Sequence, residues 1–95
     1  MIYDTNNSPP ATVADVLNHC ATVMDSATVG VSTGRQTLKA NQTEIKRILE
    51  DFPDVDERKP IEKDLSDIEL LLFKLQKKCE TAAANLRAFA NRVQQ

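Results

Sequence analysis

His19 and Cys20 are the first residues whose side chains could bind a metal or act in catalysis. His19 is the one histidine of the 95 residues, and Cys20 and Cys79 are the two cysteines. A zinc site takes three or four such ligands at defined spacings, and the sequence does not supply them. Two cysteines also make no disulfide framework. We therefore expect no catalytic residues, no metal and no cofactor, and we interpret both cysteines as small buried hydrophobic residues.

The segment Gly30–Arg35 contains two glycines, Gly30 and Gly34, with a short stretch between them, as in a phosphate-binding loop. It has three residues between the glycines where that motif has four, arginine where it has lysine, and no preceding strand. The G-x-x-x-G spacing instead suggests tight packing of helices. Asn41 has two open interpretations: a polar residue that fixes register or partner choice in a coiled coil, or an amide tolerated near solvent.

The charges are distributed unevenly along the chain. Residues 50–69 contain nine acidic and three basic residues, and from Lys74 onward the basic residues dominate. The net charge of −2 argues against a general affinity for nucleic acids. No pair of carboxylates lies in an apolar context that would favour acid–base catalysis. We therefore expect no enzymatic activity and no nucleic-acid partner.

Hydrophobic residues recur at spacings of three and four in two segments, the pattern of coiled-coil positions a and d. The first seam also includes Val13, Cys20, Ala27, Gly34 and Asn41 at d, and the second Cys79, Ala82 and Val93. The main predicted seam residues are Leu17, Met24, Val31, Leu38, Ile45, Ile48, Phe52, Ile61, Leu65, Ile68, Leu72, Leu75, Leu86 and Phe89.

The two segments predict an all-α fold, an antiparallel two-helix coiled-coil hairpin. Pro53 ends the first helix and Pro60 suits the first turn of the second. The predicted bounds are a flexible tail over 1–10, helices over 11–52 and 61–94, and a connector over 53–60. Thr12 is available as an N-cap. The first helix is expected to be continuous, with a kink near Gly30 as the alternative.

Apolar residues outside the seam exceed what two helices can cover for each other. They include Ala14, Ala21, Ala83 and Ala90, and they predict a partner surface. We expect the hairpin to complete a three- or four-helix bundle with other helical proteins, a hetero-oligomer being favoured and a homodimer possible. The residues predicted to form this interface are Val16, Val23, Leu70, Leu71 and Phe73.

The connector and second helix resemble Snapin-like coiled-coil subunits of the complexes that build lysosome-related organelles and position lysosomes. The resemblance lies in the Asp-rich break Pro53–Asp56 and in the pattern of Ile61, Leu65 and Ile68 with later Leu75, Leu86 and Val93. It implies a cytosolic scaffold subunit in vesicle or lysosome trafficking.

The sequence therefore predicts a non-enzymatic structural subunit of a heteromeric coiled-coil assembly. The alternatives are a helical subunit of a kinetochore or spindle complex, or a small adaptor or secretion chaperone that binds a client helix. The N-terminus lacks the features of a secretory signal, and the longest apolar run, Leu70–Phe73, is too short to span a bilayer. We therefore expect a cytoplasmic protein that does not insert into membranes.

Overall fold

The computed structural model describes residues 12–94, which form two long helices packed as an antiparallel hairpin. Helix α1 spans Val13–Asp51 and helix α2 spans Arg58–Gln94. The predicted fold is confirmed. The predicted tail over 1–10 and the predicted helix start at Ala11 lie outside the described residues.

Helix α1 begins with the cap that the sequence predicts. The Thr12 hydroxyl accepts a hydrogen bond from the Asp15 backbone N–H at 3.1 Å, and the Asp15 carboxylate accepts one from the Thr12 N–H at 3.2 Å. This reciprocal pair satisfies backbone donors that the first helical turn leaves unpaired. Helix α1 is thereby fixed at its N-terminal end, at the end of the hairpin away from the connector.

Helix α1 is continuous through Gly30 and Gly34, as expected. The threonines that weaken helix propensity here form hydrogen bonds within the helix. Thr22, Thr28, Thr37 and Thr43 each donate from the hydroxyl to the carbonyl four residues earlier. The helix thus keeps these β-branched residues without leaving their hydroxyls unpaired.

The connector is shorter than predicted because α2 begins at Arg58 rather than at Ile61. Pro60 therefore occupies the third helical position, where no backbone N–H is needed for an intrahelical bond. The carbonyls of Phe52 and Val55 accept hydrogen bonds from Val55 and Arg58, which closes the turn. The reversal is tight enough to bring the two helices together along their length.

The two helices meet along a stripe that differs by one residue from the predicted seam. The a positions are half-buried against the other helix as predicted, except Phe52 and Val93, which are exposed. The second buried column lies at e, one residue after d. Its most buried members are Ala14, Ala21, Gln42 and Leu49 in α1, and Ala83 and Ala90 in α2. The alanines predicted to be surplus surface are therefore the core of the hairpin. The predicted d residues Ile48, Ile68, Leu75 and Phe89 are exposed, as are Val13 and Phe52.

A hydrogen bond between the helices sets their register. Arg35 Nη1 donates to Gln76 Oε1 at 2.8 Å. Because the helices are antiparallel, a step of seven residues toward the N-terminus of α1 corresponds to a step of seven residues toward the C-terminus of α2. Thr28 then lies at the level of Ala83, and Ala21 lies at the level of Ala90. Ala21 and Ala90 are both fully buried, at 0% exposure. Small side chains at these levels allow the backbones to approach closely.

A buried amide provides a second polar contact across the hairpin. Gln42 is only 8% exposed and donates from Nε2 to the Leu65 carbonyl at 3.0 Å. A buried polar group without a partner is costly, so this bond favours one alignment of the helices. Asn41, the residue predicted at a seam position, is exposed. Of its two interpretations, the structure within this chain fits the amide near solvent.

Candidate interaction surface

The hairpin contact leaves one apolar face uncovered. In an antiparallel pair that meets along a and e, the d and g positions of both helices lie on the same side. We call this side the open face. Its apolar and small residues are Val13, Val16, Cys20, Val23, Ala27, Gly30, Gly34 and Ile48 of α1, and Ile61, Ile68, Leu71, Leu75, Ala82 and Phe89 of α2.

Most of the large residues of the open face are exposed, and Val16 and Ile61 are half-buried. Ile48 has 52% of its surface exposed, and Leu71 and Leu75 have 64% and 48%. Val13, Val23, Ile68 and Phe89 are also exposed. Contiguous apolar surface of this kind is typical of a protein–protein contact.

The opposite side of the hairpin is polar and closed by contacts between the helices. Asp25 and Arg87, both at b positions, form an ion pair of 2.5 Å. The Arg35 guanidinium lies 5.2 Å from the centre of the Phe73 ring, a cation–π contact. Lys77 lies 5.7 Å from the same ring. The two sides of the hairpin therefore differ in character.

The Asp25–Arg87 pair gives this polar side a dependence on pH. The hydrogen bond from Arg87 holds the pKa of Asp25 below its ordinary value of 3.8, and the same bond raises the pKa of Arg87. A lowered carboxyl pKa contributes stability that is present above pH 3.8 and is lost as the pH falls through the folded-state pKa.

We expect Arg87→Gln to lower the thermal midpoint slightly at pH 7, because exposed ion pairs are weak. The difference between Arg87→Gln and the unaltered chain should shrink as the pH falls below 3.8. Thermal melts followed by circular dichroism at pH 7 and pH 3 measure it, with Lys63→Gln as the matched control in a pair within one helix. A difference that grows on acidification would contradict the assignment.

The residues predicted as the partner interface do not share one side of the hairpin. Val16, Val23 and Leu71 are g residues on the open face. Leu70 is exposed at an f position on the outer side of α2, and Phe73 lies on the polar side against Arg35. The open face also contains the exposed d residues, which the sequence analysis assigned to the hairpin seam. The alanines spaced seven residues apart in both helices were the sequence signal for the contact between α1 and α2.

The residues considered for chemistry remain apart. His19 is exposed, and Cys20 and Cys79 are half-buried free cysteines. Over residues 12–94, no group of three or more His, Cys, Asp or Glu side chains is placed to hold a metal ion. Neither helix, within the same residues, contains a stretch that is long and apolar enough to cross a membrane.

Gly30 and Gly34 are not used for close packing within the hairpin. A Cβ atom added at either position would meet no atom within 4 Å. The tight packing that their spacing suggests is therefore not a contact within this chain. Comparisons with protein-family models, curated proteins and solved structures gave no match to the chain.

Proposed function

We propose that this chain is a non-enzymatic structural subunit of a coiled-coil assembly, in which helices of another chain cover the open face. The observation that supports this most directly is the exposure of Ile48, Ile68, Leu75 and Phe89 on one side of the hairpin. Complete burial of an exposed large aliphatic or aromatic side chain is worth about 1.5–3 kcal/mol, and these side chains, already about half covered, would gain roughly half of that. Several such residues on one face give a partner helix a substantial binding energy.

The architecture of the hairpin also supports an assembly role. A chain of this size buries a smaller fraction of its surface than a larger domain does, and its most buried residues are mainly alanines. Binding of further helices to the native hairpin would stabilise it by mass action. A four-helix bundle would place the exposed d residues in a core of ordinary width.

The cellular setting is a separate part of the proposal. A cytoplasmic role in vesicle or lysosome trafficking is supported by the Snapin-like pattern from Pro53 to Val93. A spindle-complex subunit and a client-helix adaptor would use the same kind of apolar face. The proposal of an assembly subunit depends on the open face, and the proposal of a trafficking role depends on the Snapin-like pattern.

Substitution of matched leucines tests the open face. Leu75 and Leu70 lie on the same helix and are 48% and 52% exposed, but only Leu75 is on the open face. We expect Leu75→Asp to reduce the association of the tagged chain with its partners, or with itself, at least tenfold. Leu70→Asp should leave this association within about twofold, and both variants should keep their helicity.

Analytical ultracentrifugation and co-purification followed by mass spectrometry measure the association, and circular dichroism measures helicity. Equal binding by the two variants would refute the assignment of the open face. A stable, monomeric unaltered chain with no associated protein would refute the structural-subunit role itself.

A further inference from the structure

The two helical glycines occupy the centre of the open face. Gly30 and Gly34 lie either side of residue 32, the midpoint of Val13–Asp51. Glycine disfavours the interior of a helix relative to alanine, and the hairpin leaves the space beside both glycines empty. Their position therefore fits a close crossing by a helix from outside the hairpin, at the middle of α1.

The charges at the edge of the open face differ between its two ends. Glu44, Asp51 and Asp64 are g residues near the connector, whereas Arg92 is a g residue at the opposite end of α2. The connector end is acidic beyond this face, because residues 50–69 contain nine acidic and three basic residues. A partner that packs along this face should therefore carry basic residues opposite the connector end and an acidic residue opposite Arg92.

We propose that the partner is a second copy of this chain, bound face to face with the two connectors at opposite ends. The inference rests on the proposed function, since it names the chain that covers the open face. The two copies are then related by a two-fold axis that passes through the midpoint of α1, perpendicular to the helices, so that each open face covers the other. Asp64, near the connector of each copy, then lies toward Arg92 at the far end of α2 in the other, and the two Gly30–Gly34 segments cross at the centre.

The register within the hairpin extends this arrangement to α2. The Arg35–Gln76 bond places the midpoint of α1 level with residues 78–79 of α2. The same axis therefore places Ile68 opposite Phe89 of the second copy, and Asp64 opposite Arg92 of the second copy. Lys78 of each copy lies near the axis at the rim of the face, where its long side chain can extend into solvent.

The alternative homodimer, with both connectors at the same end, brings like charges together. Two acidic tips would lie side by side, well within the range over which charges interact at physiological salt, about 8 Å. In the proposed dimer the tips are separated by the length of the hairpin, which measures 67 Å. A stable dimer buries roughly 800 Å² on each partner. A face of this length, apolar along both helices, has room for that contact.

Mass measurements test the second copy. Light scattering on the unaltered chain should give twice the 10.6 kDa mass of one chain. Gly34→Leu should weaken self-association at least tenfold without loss of helicity, because a Cβ atom added there meets no atom of its own hairpin within 4 Å and leucine favours helix. Ala40→Leu, at an exposed position on the outer side of α1, is the matched control and should stay dimeric. A Gly34→Leu dimer as tight as the control would overturn the glycine crossing.

Cysteine cross-linking tests the orientation. Among chains with Cys20→Ser and Cys79→Ala, we expect a mixture of Gly30→Cys and Gly34→Cys chains to form a disulfide between the two variants under mild oxidation, because the axis near residue 32 places position 30 of one copy opposite position 34 of the other. Val55→Cys, in the connector, should form no disulfide between copies. Spin labels at Val55→Cys should also give a distance close to the hairpin length of 67 Å. Efficient cross-linking at Val55→Cys with a short label distance would overturn the proposed orientation.

The outcomes separate this inference from the proposed function. If the unaltered chain is monomeric and Leu75→Asp abolishes binding of a different protein, the second copy is wrong and the structural role stands. If the chain is monomeric and no binding depends on Leu75, both fail.

Discussion

Leu49→Ala should lower the unfolding free energy of the hairpin by about 2–3 kcal/mol, whereas Ile48→Ala should lower it by less than about 1 kcal/mol. The two residues are adjacent and similar in size. Leu49 is 7% exposed in the contact between the helices, and Ile48 is 52% exposed on the open face. Removing three carbons from a packed site loses transfer energy and leaves a cavity, and removing them from an exposed side chain does neither.

Urea unfolding of both variants followed by circular dichroism measures the difference. The comparison is best made in a Leu75→Asp background and at low concentration, so that association through the open face contributes least. The predicted a/d seam gives the reverse order, because it places Ile48 inside the hairpin and leaves Leu49 outside. A larger loss for Ile48→Ala would therefore refute the observed contact and restore that seam.

Periodicity was sufficient to predict the hairpin but not the second buried column. The a positions, such as Leu38 and Leu72, recur every seven residues and are flanked by two candidate columns. The d column is the more apolar, with Ile48 and Leu75, so a count of hydrophobic residues favours it. The e column contains Arg35 and Gln42, and the hydrogen bonds from Arg35 Nη1 and Gln42 Nε2 to the other helix form only once the helices are in register, whereas Arg35 Nε is buried without a partner. That pairing is a tertiary property and is not visible in the spacing.

The partner surface stays a prediction, and only some of the residues predicted for it lie together on the open face. An excess of apolar residues follows from composition and helical geometry, so a contact surface could be expected. Its position depends on which column the hairpin buries, and a one-residue error moves Phe89 from core to surface. Of the residues predicted for it, Leu71 lies on the open face because g lies beside d, and Phe73 does not because its ring packs beneath Arg35 on the other side.

Ala90→Leu should destabilise the hairpin by about 1–3 kcal/mol, the usual cost of inserting a larger side chain into a filled contact. Ala90 is fully buried at the level of Ala21, where no space remains for three more carbons. Leucine and alanine both favour helix, so the loss cannot come from the intrinsic helix propensity of the residue. Ala88, two residues earlier on α2, is exposed, and Ala88→Leu should change stability by less than about 0.5 kcal/mol.

Thermal and urea unfolding of the Ala90 and Ala88 variants provide the measurement, with helicity as the check on folding. The contrast depends on close approach of the backbones near the end away from the connector, where α1 and α2 contribute alanines at seven-residue spacing. If Ala90→Leu were neutral or stabilising, the helices could not be in close contact there. Ala90 would then lie outside the hairpin, and the d residues would be free to form its core instead of a surface for a second chain.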